Sequence, residues 1–159
     1  SSAASDVYKR QIGGSGDTKR IPSKIFLKFM KKCINEYDCR FFLATGNKDE
    51  EQSILKDILI SEFRSKCLPL NKMSLLQTFP LIANCDIAIC NDSSFSHLSA
   101  AIRIPTIVLM ADTPLLYGSY SSMMFPIIPD GETTVNHDTQ GKNKIDPQKI
   151  FEKFKKLIN

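Results

Sequence analysis

The sequence predicts an α/β fold, a mainly parallel sheet with helices on both faces. Three short apolar runs, RFFLATG, CDIAICND and PTIVLM, alternate with segments whose apolar residues recur at the helical period. Three polar clusters, the glycine loop before the first helix, Gly46 to Glu51 and Asn91 to His97, fall at strand ends, where open parallel sheets bind their ligands. At 159 residues the chain has about the length of one domain.

Each element follows from local chemistry. In KIFLKFMKKCINEY, the residues Ile25, Phe26, Phe29, Met30, Cys33 and Ile34 share one helical face, and Lys24, Lys28, Lys31 and Lys32 keep the other wet. Pro22 is compatible with the first turn of that helix. RFFLATG reads as a strand ending at Gly46, and KDEEQSILKDILISEF as a helix with Asp49, Glu50 and Glu51 in its first turn, where the macrodipole favours carboxylates. A second strand is expected around Lys66 to Leu70. Ser74 should cap the next helix, inside which Pro80 should kink or shift the backbone. CDIAICND reads as a buried strand stopping at Asn91 and Asp92, and SSFSHLSAAIR as a short helix ended by Pro105. PTIVLM is a strand of β-branched and apolar residues. Met123 to Pro129 adds a further short strand, and Asp130 to Asp146 reads as an exposed loop. Asp146 and Pro147 start a last helix, with Ile150, Phe151, Phe154 and Leu157 on one side.

Composition excludes several classes. Hydrophobic residues at 42% and charged residues at 24% are globular proportions, not those of a disordered chain. A net charge of +4 suits anionic ligands but falls short of a nucleic-acid footprint, and the absence of Trp argues against a base-stacking platform. Five cysteines without a C-x-x-C suggest neither a disulfide framework nor a zinc site, so a reducing compartment is the simpler reading. The longest apolar stretch, Leu98 to Ala111, is broken by Ser99, Arg103, Pro105 and Thr106, well short of the roughly 18 residues a bilayer span needs. The opening SSAASDVYKRQ differs in character from the rest of the chain and lacks the apolar middle of a secretory signal. Residues 1–11 are therefore expected to be a non-native or disordered tail, with the domain over 12–159.

Three clusters could carry chemistry. The loop from Gly13 to Lys19 would let backbone N–H groups approach a phosphate beside a lysine, yet it satisfies neither Walker A nor the dinucleotide fingerprint; a flexible turn is the bland alternative. In NDSSFSH, Asp92 and His97 would flank one small crevice at a strand end, or Asp92 could simply cap the helix. Ser93, Ser94 and Ser96 lie beside them, but without a G-x-S-x-G elbow hydrolase chemistry is not indicated. The lysines of the last segment, from Lys142 to Lys156, read as a solvated face. No D-x-D is present to hold a metal-bound diphosphate, which leaves that work to lysine and backbone amides.

Taken together, KRIPSKIF, ATGNKDEE, the run from Asn71 to Leu109 and the following DTP resemble the carboxyl-terminal half of glycosyltransferase family 9, the lipopolysaccharide heptosyltransferases. The similarity runs from about Ile12 to Pro114 and more loosely to the end. It implies a Rossmann-like domain, one half of a GT-B glycosyltransferase, that binds the nucleotide-sugar donor for inverting, metal-independent transfer without a cofactor. By the resemblance, Lys19 neutralises the donor diphosphate and Ser15 offers a hydroxyl in the same loop. Glu50, or Asp49 or Glu51 in a shifted register, lies near the nucleoside, and Met73 lines the adenine pocket. Asp92, Ser93, Ser94 and His97 contact donor phosphate and sugar. Two departures stand out: Ser94 where the family has Gly, and Ile21 where an aromatic is common. The implied donor is ADP-heptose and the implied acceptor lipopolysaccharide core, reached through an amino-terminal domain that carries the general base. The chain alone is thus expected to be inactive. The implied location is cytoplasmic, with peripheral contact at the inner membrane face and no nucleic-acid partner. A complete, non-catalytic nucleotide-binding or interaction domain is the alternative.

Overall fold

The structure, a computed structural model, describes residues 16–159. The expected tail over residues 1–11 and the candidate Ser15 lie outside the described residues. The elements run α1 (Ser23–Glu36), β1 (Phe41–Leu43), α2 (Asp49–Leu59), β2 (Cys67–Pro69), α3 (Leu75–Ala83), β3 (Ala88–Asn91), α4 (Ser94–Ala101), β4 (Thr106–Leu109), β5 (Met124–Ile127) and α5 (Pro147–Ile158). Strand and helix alternate as the hydrophobic pattern requires, and every strand pairing among the described residues is parallel. Among the described residues the strands pair in two groups. β1 pairs with β2, placing Phe41 opposite Cys67; β3, β4 and β5 pair in that order, placing Ile89 opposite Ile107 and Ile107 opposite Phe125.

Burial explains the layering. Alternate residues of β4 point to opposite faces, so Ile107 and Leu109 join one apolar cluster while Val108 and the following Met110 join another. The larger cluster gathers Ile25, Phe29, Met30 and Cys33 of α1, Ile54, Leu55 and Ile58 of α2, and Ile150, Phe151 and Phe154 of α5. Phe29 meets Phe154 edge-on with ring centroids 5.8 Å apart, and Tyr37 meets the same ring at 5.5 Å.

The caps behave largely as anticipated. Ser74 accepts a hydrogen bond from the Gln77 N–H and Asp146 from the Gln148 N–H. Pro80 sits inside α3, and its carbonyl accepts from the Asn84 side chain. Pro22 takes the N-cap position of α1. Ser93 is the N-cap of α4 but its hydroxyl makes no capping bond, and Asp92 turns elsewhere. The segment from Asp130 to Asp146 is not simply an exposed loop: Val135 and Ile145 are each only 2% exposed and pin it to the core.

Candidate functional site

In a parallel sheet all carboxyl ends share one edge, and the residues that follow each strand form a rim there. β3 ends at buried Asn91, and the chain passes through buried Asp92 and half-buried Ser93 into α4. The loop that precedes α1 brings Lys19 to this place, where its Nζ donates to Asp92 Oδ2 at 3.5 Å. The lysine-bearing turn and the aspartate turn therefore meet, although they lie far apart in the chain. Lys19 is 21% exposed and Asp92 8%, so the lysine remains open to an incoming anion.

The loop is fastened from three directions. Asp17 accepts from the Arg20 guanidinium at 2.7 Å, and this bond, with the Arg20 charge and lesser contributions from the Lys142 and Lys48 charges, holds the Asp17 carboxyl below the usual range. The Asp17 carbonyl accepts from Lys142 Nζ at 2.6 Å. Thr18 donates to the Asp112 carboxylate, which stands three residues after β4 and also accepts from the Gln140 N–H at 2.7 Å. Burial pushes the Asp112 pKa up, but the Gln140 N–H, the Thr18 hydroxyl, the His137 charge and the Asp138 N–H outweigh it, and the net shift is downward. Asp138 and Gln140 hold left-handed φ values of 76° and 49°, a strained backbone that turns N–H groups toward this carboxylate.

α4 begins at Ser94 and projects its first-turn amides at the rim beside Asp92, which suits an anion. Ser93 is half-buried, and its hydroxyl has no partner among the described residues. Ser94 is exposed. His97, one turn on, is half-buried; its Nδ1 lies 2.7 Å from the Tyr120 hydroxyl and its ring stacks on the Tyr120 ring. Lys19, Asp92, Ser93, Ser94 and His97 thus occupy one neighbourhood.

Glu50 and Met73 lie on the rim of the other sheet, both exposed. Gln52 ties that rim together, donating to the Gly46 carbonyl at 2.5 Å and accepting from Asn71 at 3.3 Å. Among the described residues no hydrogen bond or ion pair joins Glu50 or Met73 to the Lys19–Asp92 pair. Glu51 folds back to accept from the Lys48 N–H and is 1% exposed, so it closes the first turn of α2 and leaves Asp49 and Glu50 to face outward. Thr18, Arg20, Asp112, Tyr120 and Gln140 are not among the residues that the sequence singles out. Asp112 alone carried a signal, an acidic residue just past a clear strand, the same pattern that singled out Asp92.

The described residues hold no cluster of three or more His, Cys, Asp or Glu suited to a metal, and no helix among them is long and apolar enough to cross a membrane.

Fold and rim together define a doubly wound α/β domain with an anion-receptive edge at the carboxyl ends of its strands. The sequence profile of glycosyltransferase family 9 (heptosyltransferase) matches residues 7–154, and the chain belongs to that family. It is 27% identical over 121 residues to lipooligosaccharide heptosyltransferase 2 of Haemophilus influenzae, covering 76% of this chain and 33% of that protein. It is also 27% identical over 130 residues to lipopolysaccharide heptosyltransferase 1 of Campylobacter coli, covering 79% and 37%. The chain therefore spans about a third of the length of these relatives. Among solved structures, E. coli heptosyltransferase WaaC with ADP superposes with a TM-score of 0.73 at 18% identity, over 96% of this chain and 45% of that one. E. coli ADP-heptose lps heptosyltransferase II gives 0.71 at 24%, over 92% and 44%. These two likenesses establish the fold, which is that of a GT-B Rossmann-like half.

Proposed function

We propose that this chain is the donor-binding half of an inverting, metal-independent glycosyltransferase that takes heptose from ADP-heptose for transfer to lipopolysaccharide core. The observation that carries the reading is the Lys19–Asp92 contact at the strand-end rim, beside the start of α4. Glycosyl transfer builds positive charge on the sugar ring and negative charge on the departing diphosphate. Lys19, the amides of its loop and the α4 N-terminus supply fixed positive potential for that leaving group. On diphosphate binding Lys19 exchanges the Asp92 carboxylate for phosphate oxygens, and Asp92 is released toward the sugar with Ser93, Ser94 and His97. Ser15 adds a hydroxyl to the phosphate loop, while Glu50 and Met73 receive the nucleoside at the neighbouring rim. The residues of this chain bind and orient the donor; the base that deprotonates the acceptor belongs to the other domain of the family, so the isolated chain should bind ADP-heptose without turning it over. Support for the heptose comes from the named relatives, and support for ADP from the neighbour solved with it.

Calorimetric titration with ADP and with adenosine tests this. Lys19→Ala should weaken ADP binding by roughly tenfold to a hundredfold, the value of a hydrogen-bonded charge contact, and leave adenosine within about twofold. Equal loss for both ligands removes the phosphate role from Lys19, and no heat at millimolar ADP in a folded sample removes the donor site.

A further inference from the structure

The reading proposed above gives His97 work at the donor site but leaves open what holds its ring. The two imidazole nitrogens are not equivalent, and the hydrogen bond made by one sets whether the other carries the proton. A carboxylate is a common orienting partner for a working histidine. Here Asp92 is engaged by Lys19, and among the described residues no hydrogen bond or ion pair joins it to His97.

Tyr120 takes that place. Its hydroxyl lies 2.7 Å from His97 Nδ1, and the two rings stack with centroids 5.6 Å apart and planes 21° apart. One side chain thus grips the imidazole at an edge and on a face. A phenol can donate or accept, but this separation is ordinary for a hydroxyl donor and short for an N–H donor, whose bonds cluster near about 2.9 to 3.0 Å. A phenol oxygen is also a weak acceptor, because its lone pair is shared with the ring. Tyr120 therefore donates, Nδ1 accepts, and the proton of the neutral imidazole sits on Nε2. Among the described residues Nε2 has no hydrogen-bond partner, so its N–H is available to a ligand.

The tyrosine is itself well rooted. It follows the short turn Leu115–Gly118, where a Cβ on Gly118 would collide with the thioether of fully buried Met110. Ser119 Oγ donates to the Leu115 carbonyl at 2.9 Å, and just beyond Tyr120 the Ser121 carbonyl accepts from the Met124 N–H at 3.0 Å, where β5 begins. Tyr120 is nevertheless 57% exposed, and a hydrogen bond so open to water adds little to stability. Its value lies in orientation.

We propose that Tyr120 is a positioning residue for donor binding: its hydroxyl keeps His97 in the Nε2–H form, so that His97 donates to a diphosphate oxygen beside Lys19 and the first turn of α4. This rests on the donor-site reading. Tyr120 acts through His97 and does not touch the nucleotide. The proton stays on Nε2, and the bond strengthens as negative charge collects on the leaving diphosphate.

The test titrates the full chain with ADP and with adenosine at alkaline pH, comparing the unsubstituted protein, Tyr120→Phe, His97→Ala and the double variant. Phenylalanine keeps the ring and removes only the hydroxyl. Tyr120→Phe should weaken ADP binding roughly fivefold and leave adenosine within about twofold. In the His97→Ala background the second substitution should change ADP affinity by less than about twofold. Nitrogen-15 spectra of the histidine side chains supply a signature that a merely structural tyrosine would not move, with the His97 signals assigned by their loss in His97→Ala. They should show a protonated Nε2 and an accepting Nδ1 in the unsubstituted protein, and a mixture of tautomers in Tyr120→Phe. A proton on Nδ1 overturns the proposal. So does a loss of ADP affinity that persists in the His97→Ala background, since Tyr120 then meets the ligand directly. ADP binding that Tyr120→Phe leaves unchanged removes the role of Tyr120 alone, whereas no ADP binding by the unsubstituted protein removes the donor site and this role together.

Discussion

The two sheets are built from similar residues but are buried to different degrees. Every residue of β4 is buried, paired on both edges and covered on both faces. In the β1–β2 pair, by contrast, Phe42 is 40% exposed and Leu68 45%. The difference follows from position in the sheet, since among the described residues β4 is the central strand of three and β1 and β2 each have one partner. It also divides the proposed labour. Asp92, Ser93, Ser94 and His97, assigned to phosphate and sugar, directly follow β3 of the well-packed sheet, where small displacements are resisted. Glu50 and Met73, assigned to the nucleoside, stand on the looser one.

That contrast can be broken at several points. The largest effect should come from Ile107→Ala, which empties a fully buried site on β4 and should cost about 3 kcal/mol in urea unfolding; a loss under about 1 kcal/mol would mean that β4 is not the structural centre. Asp112→Asn should cost roughly 2 kcal/mol at pH 7 by weakening the charge-assisted bonds that hold Thr18 and Gln140. Because folding depresses the Asp112 pKa, its contribution is present above the unfolded carboxylate value, about pH 4, and fades as pH falls through the lower folded value. The difference between the two proteins should therefore shrink in acid, and a gap unchanged from pH 7 to pH 2 would contradict the assignment. Ser74→Ala removes the N-cap bond of α3 and should lower stability by about 1 kcal/mol, read from the shift in denaturation midpoint. The smallest change, about 0.5 kcal/mol, is expected for Leu68→Ala on the exposed pair; a loss as large as that of Ile107→Ala would erase the distinction between the sheets.

Much of the fold was legible. The α1 stripe from Ile25 to Ile34 is amphipathic at the helical period, and PTIVLM has few stable alternatives to a buried strand. Ser74, Asp146 and Pro147 announce helix starts through bonds made within a few residues. The site was legible where a polar residue directly ends an apolar run, as Asp92 does after CDIAIC. It was not legible where the partner comes from far along the chain. Thr18 and Gln140 meet on Asp112 from opposite ends of the sequence, and the His97–Tyr120 pair spans two elements. The apparent loop from Asp130 to Asp146 misled because two isolated apolar residues, Val135 and Ile145, anchor it and leave no periodic trace.

The sequence by itself determined the order of strands and helices, the face each helix buries and the family to which the chain belongs, because periodicity, capping and motif spacing are local and survive without knowledge of neighbours. Only the tertiary structure decided that Lys19 meets Asp92 and that Asp112 fastens the loop carrying that lysine. Those outcomes depend on how separate elements pack in space, and contacts between residues so far apart in the chain leave no spacing for a one-dimensional pattern to display.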